Sequence, residues 1–176
     1  MVVQDLRPFD ADGSVRMVVE APRGSALKLK YDPELSAFAY GRPLPLGLTY
    51  PFDWGFVPGT KAEDGDPLDA MAIADVSSYP GVVIPCRPLG AVLVSQRSKK
   101  NGRERNDRVV LVPVSAARLE DLTDPRSLPA RLREEIEQFF LSTTFFEQKD
   151  ARIEGWRGAA HAKRLVRAAE RRFAGK

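Results

Sequence analysis

The sequence predicts a mainly β (α+β) fold, in which a small β-barrel carries packed helices. Short apolar stretches follow one another along the first two thirds of the chain, and Gly and Pro residues separate them. Two stretches near the C-terminus instead show helical spacing. A length of 176 residues with 43% hydrophobic content suits one domain with a sizeable core. We therefore expect residues 1–176 to form a single domain.

The strands are predicted from apolar residues that alternate with polar ones between turn residues. Residues 26–31 show this pattern clearly, because Lys28 and Lys30 alternate with apolar residues. The simplest interpretation of those two lysines is a solvated outer face. The predicted strands cover residues 15–21, 26–31, 37–40, 68–74, 82–86, 91–95 and 109–112. Their short spacing favours a closed or curled antiparallel sheet, in which the basic segment 97–108 is a hairpin connection.

Two helices are predicted to close the chain. The first begins near Pro129, since proline is common in the first turn of a helix. Its inward residues are Leu132, Ile136, Phe139 and Phe140. The second helix spans about residues 158–173 and has an apolar stripe opposite a basic face.

The residue counts exclude several kinds of site. Cys86 is the only cysteine, so an internal disulfide is impossible and a cytoplasmic location is expected. His161 is the only histidine, which excludes a zinc site built from several histidines. No apolar run approaches the length of a membrane span, and the N-terminus lacks the features of a secretory signal. Metal chemistry in this chain would therefore use carboxylate ligands and a hard cation.

An acidic turn is the most informative stretch. Asp64, Asp66 and Asp69 lie around Gly65 and Pro67, two residues that stiffen the backbone of a tight turn. Three carboxylates so close together repel one another, and Mg²⁺ or Ca²⁺ is the usual remedy. A solvated turn is the alternative, because Asp, Gly and Pro are common in exposed turns.

The strand that follows this turn favours the metal site. Alternation places Asp69 on the same face as Met71 and Ile73. A carboxylate among apolar neighbours is costly unless it is paired or bound to a metal.

Residues 50–70 resemble the signature of the family I soluble inorganic pyrophosphatases. The resemblance rests on YP at 50–51, DWGFVP at 53–58 and DGDPLD at 64–69. Weaker similarity covers nearly the whole chain, including VEAP at 19–22, CRPLG at 86–90 and EGW at 154–156. The resemblance implies an OB-like five-stranded β-barrel with two C-terminal helices, Mg²⁺-dependent hydrolysis of pyrophosphate, and a homo-hexamer.

The resemblance also implies roles for single residues. Its metal-binding positions are Asp64, Asp66, Asp69 and Glu20. Asp66 matches in addition the catalytic carboxylate that assists deprotonation of the attacking water. The substrate-binding positions are Lys28, Arg42 and Arg108, where Arg108 stands in place of a family lysine. Without the resemblance, an exposed charge would be the better interpretation of Glu20, Lys28 and Arg42.

This chain departs from the family pattern at several of its ligand positions. Gln96 and Asn106 stand where the family has metal-binding aspartates, and Asp107 lies one residue away. Trp54 replaces a tyrosine, and Thr143 with Thr144 replaces a Tyr-Lys pair.

Three functions remain open: a pyrophosphatase with an altered site, a hydrolase of another phosphoanhydride, and a non-catalytic barrel that binds phosphate or polyanions. The intact acidic turn argues against the third. Nucleic acid is not an expected partner, since scattered aromatic residues give no stacking platform for bases. We predict the first function.

Overall fold

The computed structural model describes residues 3–98 and 102–175. Lys99 and Lys100, which belong to the predicted basic hairpin, lie outside the described residues. The described part contains nine strands: β1 (Val15–Ala21), β2 (Leu27–Asp32), β3 (Ala37–Pro43), β4 (Asp53–Val57), β5 (Leu68–Ala72), β6 (Val83–Arg97), β7 (Arg103–Arg105), β8 (Arg108–Pro113) and β9 (Arg152–Gly158). The α-helices of this part are α1 (Ala130–Thr143) and α2 (Ala159–Ala174).

Five strands form a closed ring. Strand β1 pairs with β4, β4 with β5, β5 with β8, β8 with β6, and β6 returns to β1. This ring, together with the two helices, confirms the predicted fold class. Strands β9 and β7 extend the sheet from β6, whereas β2 and β3 form a separate two-stranded sheet.

The prediction of an antiparallel sheet is wrong at one pairing. Strands β5 and β8 run parallel, with Ala70 opposite Val109 and Ala72 opposite Leu111. The long β6–β7 excursion between them lets the chain return in the same direction, which a short hairpin cannot do. Both strands are buried along nearly their whole length, as is usual for parallel strands.

Four strands differ from the sequence prediction, one of which is β7 within the predicted hairpin connection. The predicted strands 82–86 and 91–95 merge into the single strand β6, which begins at Val83 and stays continuous because a register shift near Gly90 absorbs the irregular Pro88. Strand β4 was not predicted, since all five of its residues are buried and none alternates with a polar neighbour. Strand β9 was also missed, because its sequence RIEGWRG contains two glycines and little apolar content.

The core lies on both sides of the central strands. Val110 and Val112 of β8 pack into a cluster that includes Ile136, Phe139 and Phe140 of α1. Val109 and Leu111, which alternate with them, join a second cluster that includes residues of α2. Each helix therefore covers one apolar side of the sheet, as the two helical patterns predict. Neither helix of the described residues combines the length and apolar character that crossing a membrane requires.

Gly55 allows β1 and β4 to approach closely. A Cβ atom at this position would lie 1.8 Å from the backbone oxygen of Val18. We expect Gly55→Ala to lower the free energy of unfolding by about 3 kcal/mol, because the contact is with rigid backbone. Urea unfolding followed by tryptophan fluorescence measures the loss.

Gly158→Ala is the matched control. The new methyl group would meet nothing nearer than a carboxylate oxygen of Asp124 at 3.6 Å, an ordinary contact. Equal stability losses for the two variants would show that the approach of β1 to β4 does not require glycine.

Candidate active site

Short hydrogen bonds fix the acidic turn in front of β5. The Ala62 N–H donates to the Asp66 backbone oxygen at 2.7 Å, and the Asp66 N–H donates to Asp64 Oδ1 at 3.2 Å. Gly65 has a φ of 94°, a value that favours glycine over other residues. The buried Thr60 hydroxyl accepts the Leu68 N–H at 3.0 Å and so anchors the start of β5. The turn thus presents its carboxylates from a braced backbone.

The β2 lysines lie over this turn. A register shift between Lys28 and Leu29 breaks the simple alternation of β2 against β3. Lys30 Nζ lies 3.3 Å from both carboxylate oxygens of Asp66. Lys28 lines the same cavity as Asp66 and Asp69. The expectation of a merely solvated face is therefore wrong for Lys28, whereas Lys30 is exposed as expected.

These side chains surround one cavity, which we call the charged pocket. It is lined by four cationic side chains and three carboxylates among the described residues: Lys28, Arg42, Arg108, Lys149, Asp64, Asp66 and Asp69. Glu20 lines an adjoining cavity that shares Lys28, Asp66 and Asp69 with the pocket. All seven residues singled out from the sequence for metal, substrate or catalysis thus lie at the charged pocket or next to it.

Burial shifts the carboxyl groups of this region. It raises the pKa of Glu20 to about 7, and the charge of Asp69 adds to the effect while the Tyr31 N–H, which donates at 2.7 Å, opposes it. Burial also raises the pKa of Asp64, to which the nearby Asp69 contributes. Burial raises the pKa of Asp69, while the positive charges of Arg108 and Lys28 act to lower it. A cation placed here would relieve this repulsion.

Arg108 forms the inner wall of the pocket. Its side chain is almost fully buried, and its Nη2 lies 4.0 Å from Asp69 Oδ2. The guanidinium stands 5.3 Å from the centre of the Phe140 ring and also donates to the backbone oxygen of Asn106. Its Nε has no hydrogen-bond partner within residues 3–98 and 102–175. Burial lowers the pKa of Arg108, while Asp69 and Asp64 oppose that change.

The neutral residues at the family's carboxylate positions bind each other. Asn106 Nδ2 donates to Gln96 Oε1 at 3.0 Å, and both side chains are buried. Gln96 Nε2 in turn donates to Glu104 at 3.2 Å. Asp107 does not take their place, because its carboxylate accepts the Val94 N–H at 2.9 Å and an Arg105 N–H at 2.8 Å.

The residues at the other departures from the family pattern are Trp54, Thr143 and Thr144. None of them is charged, so they supply no charge to their side of the pocket. The Thr143 and Thr144 hydroxyls donate to backbone oxygens of α1. Trp54 is buried and stacks on Tyr50 at a ring-centre distance of 6.1 Å. Arg42 reaches this side and donates to the Thr143 backbone oxygen at 2.7 Å.

Lys149 also lines the pocket, and Glu147 lies beside it in an adjoining cavity; sequence analysis missed both. Glu147 pairs with Arg42 through one oxygen and with Lys149 Nζ at 3.0 Å through the other. Partial burial opposes ionisation of Glu147, but these two cations hold its pKa below the usual value. The residues follow α1 in an irregular segment, where neither periodicity nor a turn motif marks them.

The oxygen donors that could hold a metal here are the carboxylates of Asp64, Asp66, Asp69 and Glu20. Hard divalent cations prefer such ligands. Within the part of the chain that the structure describes, no group of three or more His, Cys, Asp and Glu side chains is already gathered into a metal-holding arrangement.

Comparison with known proteins gives one consistent family. Residues 17–174 match the family model described as inorganic pyrophosphatase. The chain is 38% identical over 164 residues to an inorganic pyrophosphatase of Thermus thermophilus, covering 92% of this chain and 91% of that one. It is 35% identical over 172 residues to the enzyme of Sulfolobus acidocaldarius, covering 94% and 95% of the two chains.

The fold agrees with these relatives. The crystal structure of the inorganic pyrophosphatase from Thermus thermophilus superposes with a TM-score of 0.90 at 35% identity, over 99% of this chain and 100% of that chain. That from Neisseria gonorrhoeae superposes with a TM-score of 0.87 at 28% identity, over 99% of each chain. Sequence and fold together establish that this chain belongs to the family I inorganic pyrophosphatases.

Proposed function

We propose that this protein hydrolyses inorganic pyrophosphate to two phosphates with the help of Mg²⁺. The observation that carries the proposal is the charged pocket, which sets four cations beside three carboxylates. Pyrophosphate is a small, highly charged anion, so its hydrolysis needs both cations for its oxygens and a site for a metal. The names of the relatives point to the same reaction.

The carboxylates are proposed to hold Mg²⁺. Asp64 and Asp69 are its main ligands, and Asp66 and Glu20 lie beside them. This set of oxygen donors fits a hard cation, because burial and mutual repulsion raise the pKa of Asp64 and of Asp69. When bound, Mg²⁺ neutralises phosphate oxygens and lowers the pKa of a bound water. Lys30 lies over the half-exposed carboxylate of Asp66. We propose that this carboxylate accepts the proton of the attacking water.

The cations are proposed to hold the phosphate groups. Lys28 and Arg42 stand at the open side of the pocket, and Arg108 stands at its inner wall. Arginine can bind two oxygens of one phosphate through a planar fork of two N–H groups, a geometry that a lysine does not have. Arg108 is buried against Phe140 and is therefore fixed in direction before substrate arrives.

A different phosphoanhydride is the second candidate substrate. The observation that favours it is the neutral Gln96–Asn106 pair on a wall where the family has carboxylates. A wall with less negative charge is compatible with a larger or more highly charged substrate.

The unit proposed to carry this activity is one domain of residues 1–176, and we place it in the cytoplasm. The continuous sheet that links β1 to β9 supports the single domain. The buried, unpaired Cys86 supports the location in the cytoplasm. Limited proteolysis and cell fractionation test them.

Phosphate release tests the function directly. We expect release from pyrophosphate that depends on Mg²⁺ and exceeds release from a panel of other phosphoanhydrides, such as nucleoside triphosphates and tripolyphosphate. Asp66→Asn is nearly isosteric but removes the proton acceptor, so the rate should fall about 10²- to 10⁴-fold. The remote, exposed Asp121→Asn should leave the rate unchanged.

The outcomes separate the candidates. Preferential release from another member of the panel would favour the second candidate. Wild-type turnover of Asp66→Asn would remove Asp66 from the catalytic role.

The affinity for Mg²⁺ tests the effect of the neutral Gln96–Asn106 pair on the pocket. Gln96 and Asn106 each lack the negative charge that the family has at these positions, so the substrate-free protein should bind Mg²⁺ weakly. Metal would then arrive mainly with the substrate. Replacing both residues by Asp should tighten Mg²⁺ binding in calorimetry without substrate. Tight binding of two Mg²⁺ ions by the unmodified protein would contradict this order of events.

A homo-hexamer is proposed from the family resemblance. Light scattering at micromolar protein should return about six times the 19.5 kDa chain mass. A monomer mass at that concentration would reject the assignment.

A further inference from the structure

We propose that the Lys30 side chain is a tethered cation that competes with Mg²⁺ for the Asp66 carboxylate. The inference rests on the proposed function of the charged pocket. It adds a residue of β2 that sets how tightly the substrate-free protein binds Mg²⁺. This effect is independent of the neutral Gln96–Asn106 pair, which acts from a different wall.

Lys30 neutralises Asp66 in the way that a bound cation would. Its Nζ lies 3.3 Å from Oδ1 and 3.3 Å from Oδ2 of this carboxylate, so the ammonium group faces both oxygens at once. Mg²⁺ uses the same oxygens, since carboxylates are ligands that it prefers. The ammonium group and a metal ion cannot share this position, because two positive charges repel strongly at such a short distance.

The Lys30–Asp66 pair is open enough to exchange partners. The two side chains are 55% and 63% exposed. Solvent screens an ion pair with this exposure, and holding a long lysine side chain in one geometry costs conformational entropy. Mg²⁺ can therefore displace the ammonium group, but the competition lowers the apparent affinity for the metal.

The backbones that carry the two residues are held separately. Lys30 is paired with Ala39 in the β2–β3 ladder. The Asp66 N–H donates to Asp64 Oδ1 at 3.2 Å, and the Asp66 backbone oxygen accepts the Ala62 N–H at 2.7 Å. The paired residues are 36 positions apart in the chain. Their contact therefore comes from the packing of β2 over the acidic turn.

Lys30 lies close to other proposed metal ligands as well. It lines one cavity together with Glu20, Asp66 and Asp69, so its charge acts on most of the carboxylates assigned to Mg²⁺. Lys61 lines the same cavity. Within residues 3–98 and 102–175, however, the ion pair of Asp66 is formed with Lys30 and not with Lys61. Lys61 is therefore a matched comparison, with the same charge in the same cavity.

Calorimetric titration of the substrate-free protein with Mg²⁺ alone tests the competition. Lys30→Gln should tighten Mg²⁺ binding about two- to fivefold, the range expected when an exposed ion pair no longer has to be broken. Lys30→Arg keeps the positive charge and should stay near the affinity of the unmodified protein. Lys61→Gln removes one charge from the cavity and should have a smaller effect than Lys30→Gln.

A double-mutant cycle tests whether Lys30 acts through Asp66. Asp66→Asn keeps Asp64 and Asp69, the main proposed ligands, so Mg²⁺ binding is retained in this background. Because an amide does not form the ion pair, adding Lys30→Gln there should change the affinity little.

Three results would overturn the proposal. The first is equal tightening by Lys30→Gln with and without Asp66→Asn, or equal tightening by Lys61→Gln, since the total charge of the cavity would then explain the effect. The second is unchanged or weaker Mg²⁺ binding by Lys30→Gln, which would leave the lysine a structural role alone. The third is the lack of detectable Mg²⁺ binding by both the unmodified protein and Lys30→Gln.

Phosphate release separates this proposal from the proposed function. Tighter Mg²⁺ binding by Lys30→Gln, in a protein that releases no phosphate from pyrophosphate, would keep the role of Lys30 and reject the hydrolysis. Mg²⁺-dependent phosphate release together with unchanged Mg²⁺ affinity in Lys30→Gln would reject the role of Lys30 and keep the hydrolysis.

Discussion

The parallel pairing of β5 with β8 is the constraint on which the pocket depends. It closes the ring of five strands and fixes Ala70 opposite Val109. The preceding residue on each strand is charged, so Asp69 and Arg108 meet at the same end of the ring, 4.0 Å apart. Arg108 is buried and Asp69 is partly buried, so each charge would be costly alone. A shift of one residue in this register would turn one of them into the apolar core.

The other charged side chains at the pocket also form ion pairs with one another. Lys30 lies over Asp66, and Glu147 bridges Arg42 to Lys149. Lys30, Arg42 and Lys149 thus each have a carboxylate partner at short range. A doubly charged cation and a phosphate anion can replace these internal contacts in a single exchange of partners.

The basic hairpin has a structural use beyond its net charge. Arg103 is bound to Asp150 and Arg105 to Asp107, so each of these positive charges has a carboxylate partner outside the acidic turn. From the sequence alone, this basic segment is only a hairpin connection. The contacts instead join β6 and β7 to the turn that carries Lys149, which links the altered hairpin to the altered segment after α1.

The sequence by itself determined the two helices, most strands of the ring and the acidic turn, because periodicity and Gly-Pro chemistry act over a few neighbouring residues. It also marked Asp64, Asp66 and Asp69 together. Only the tertiary structure decided the parallel pairing, the direction of Asp107 and the meeting of Arg42 with Glu147. Arg42 and Glu147 are 105 positions apart in the chain. Contacts between such distant residues depend on how whole elements pack and on shifts of a single residue in register, which leave no local pattern in the sequence.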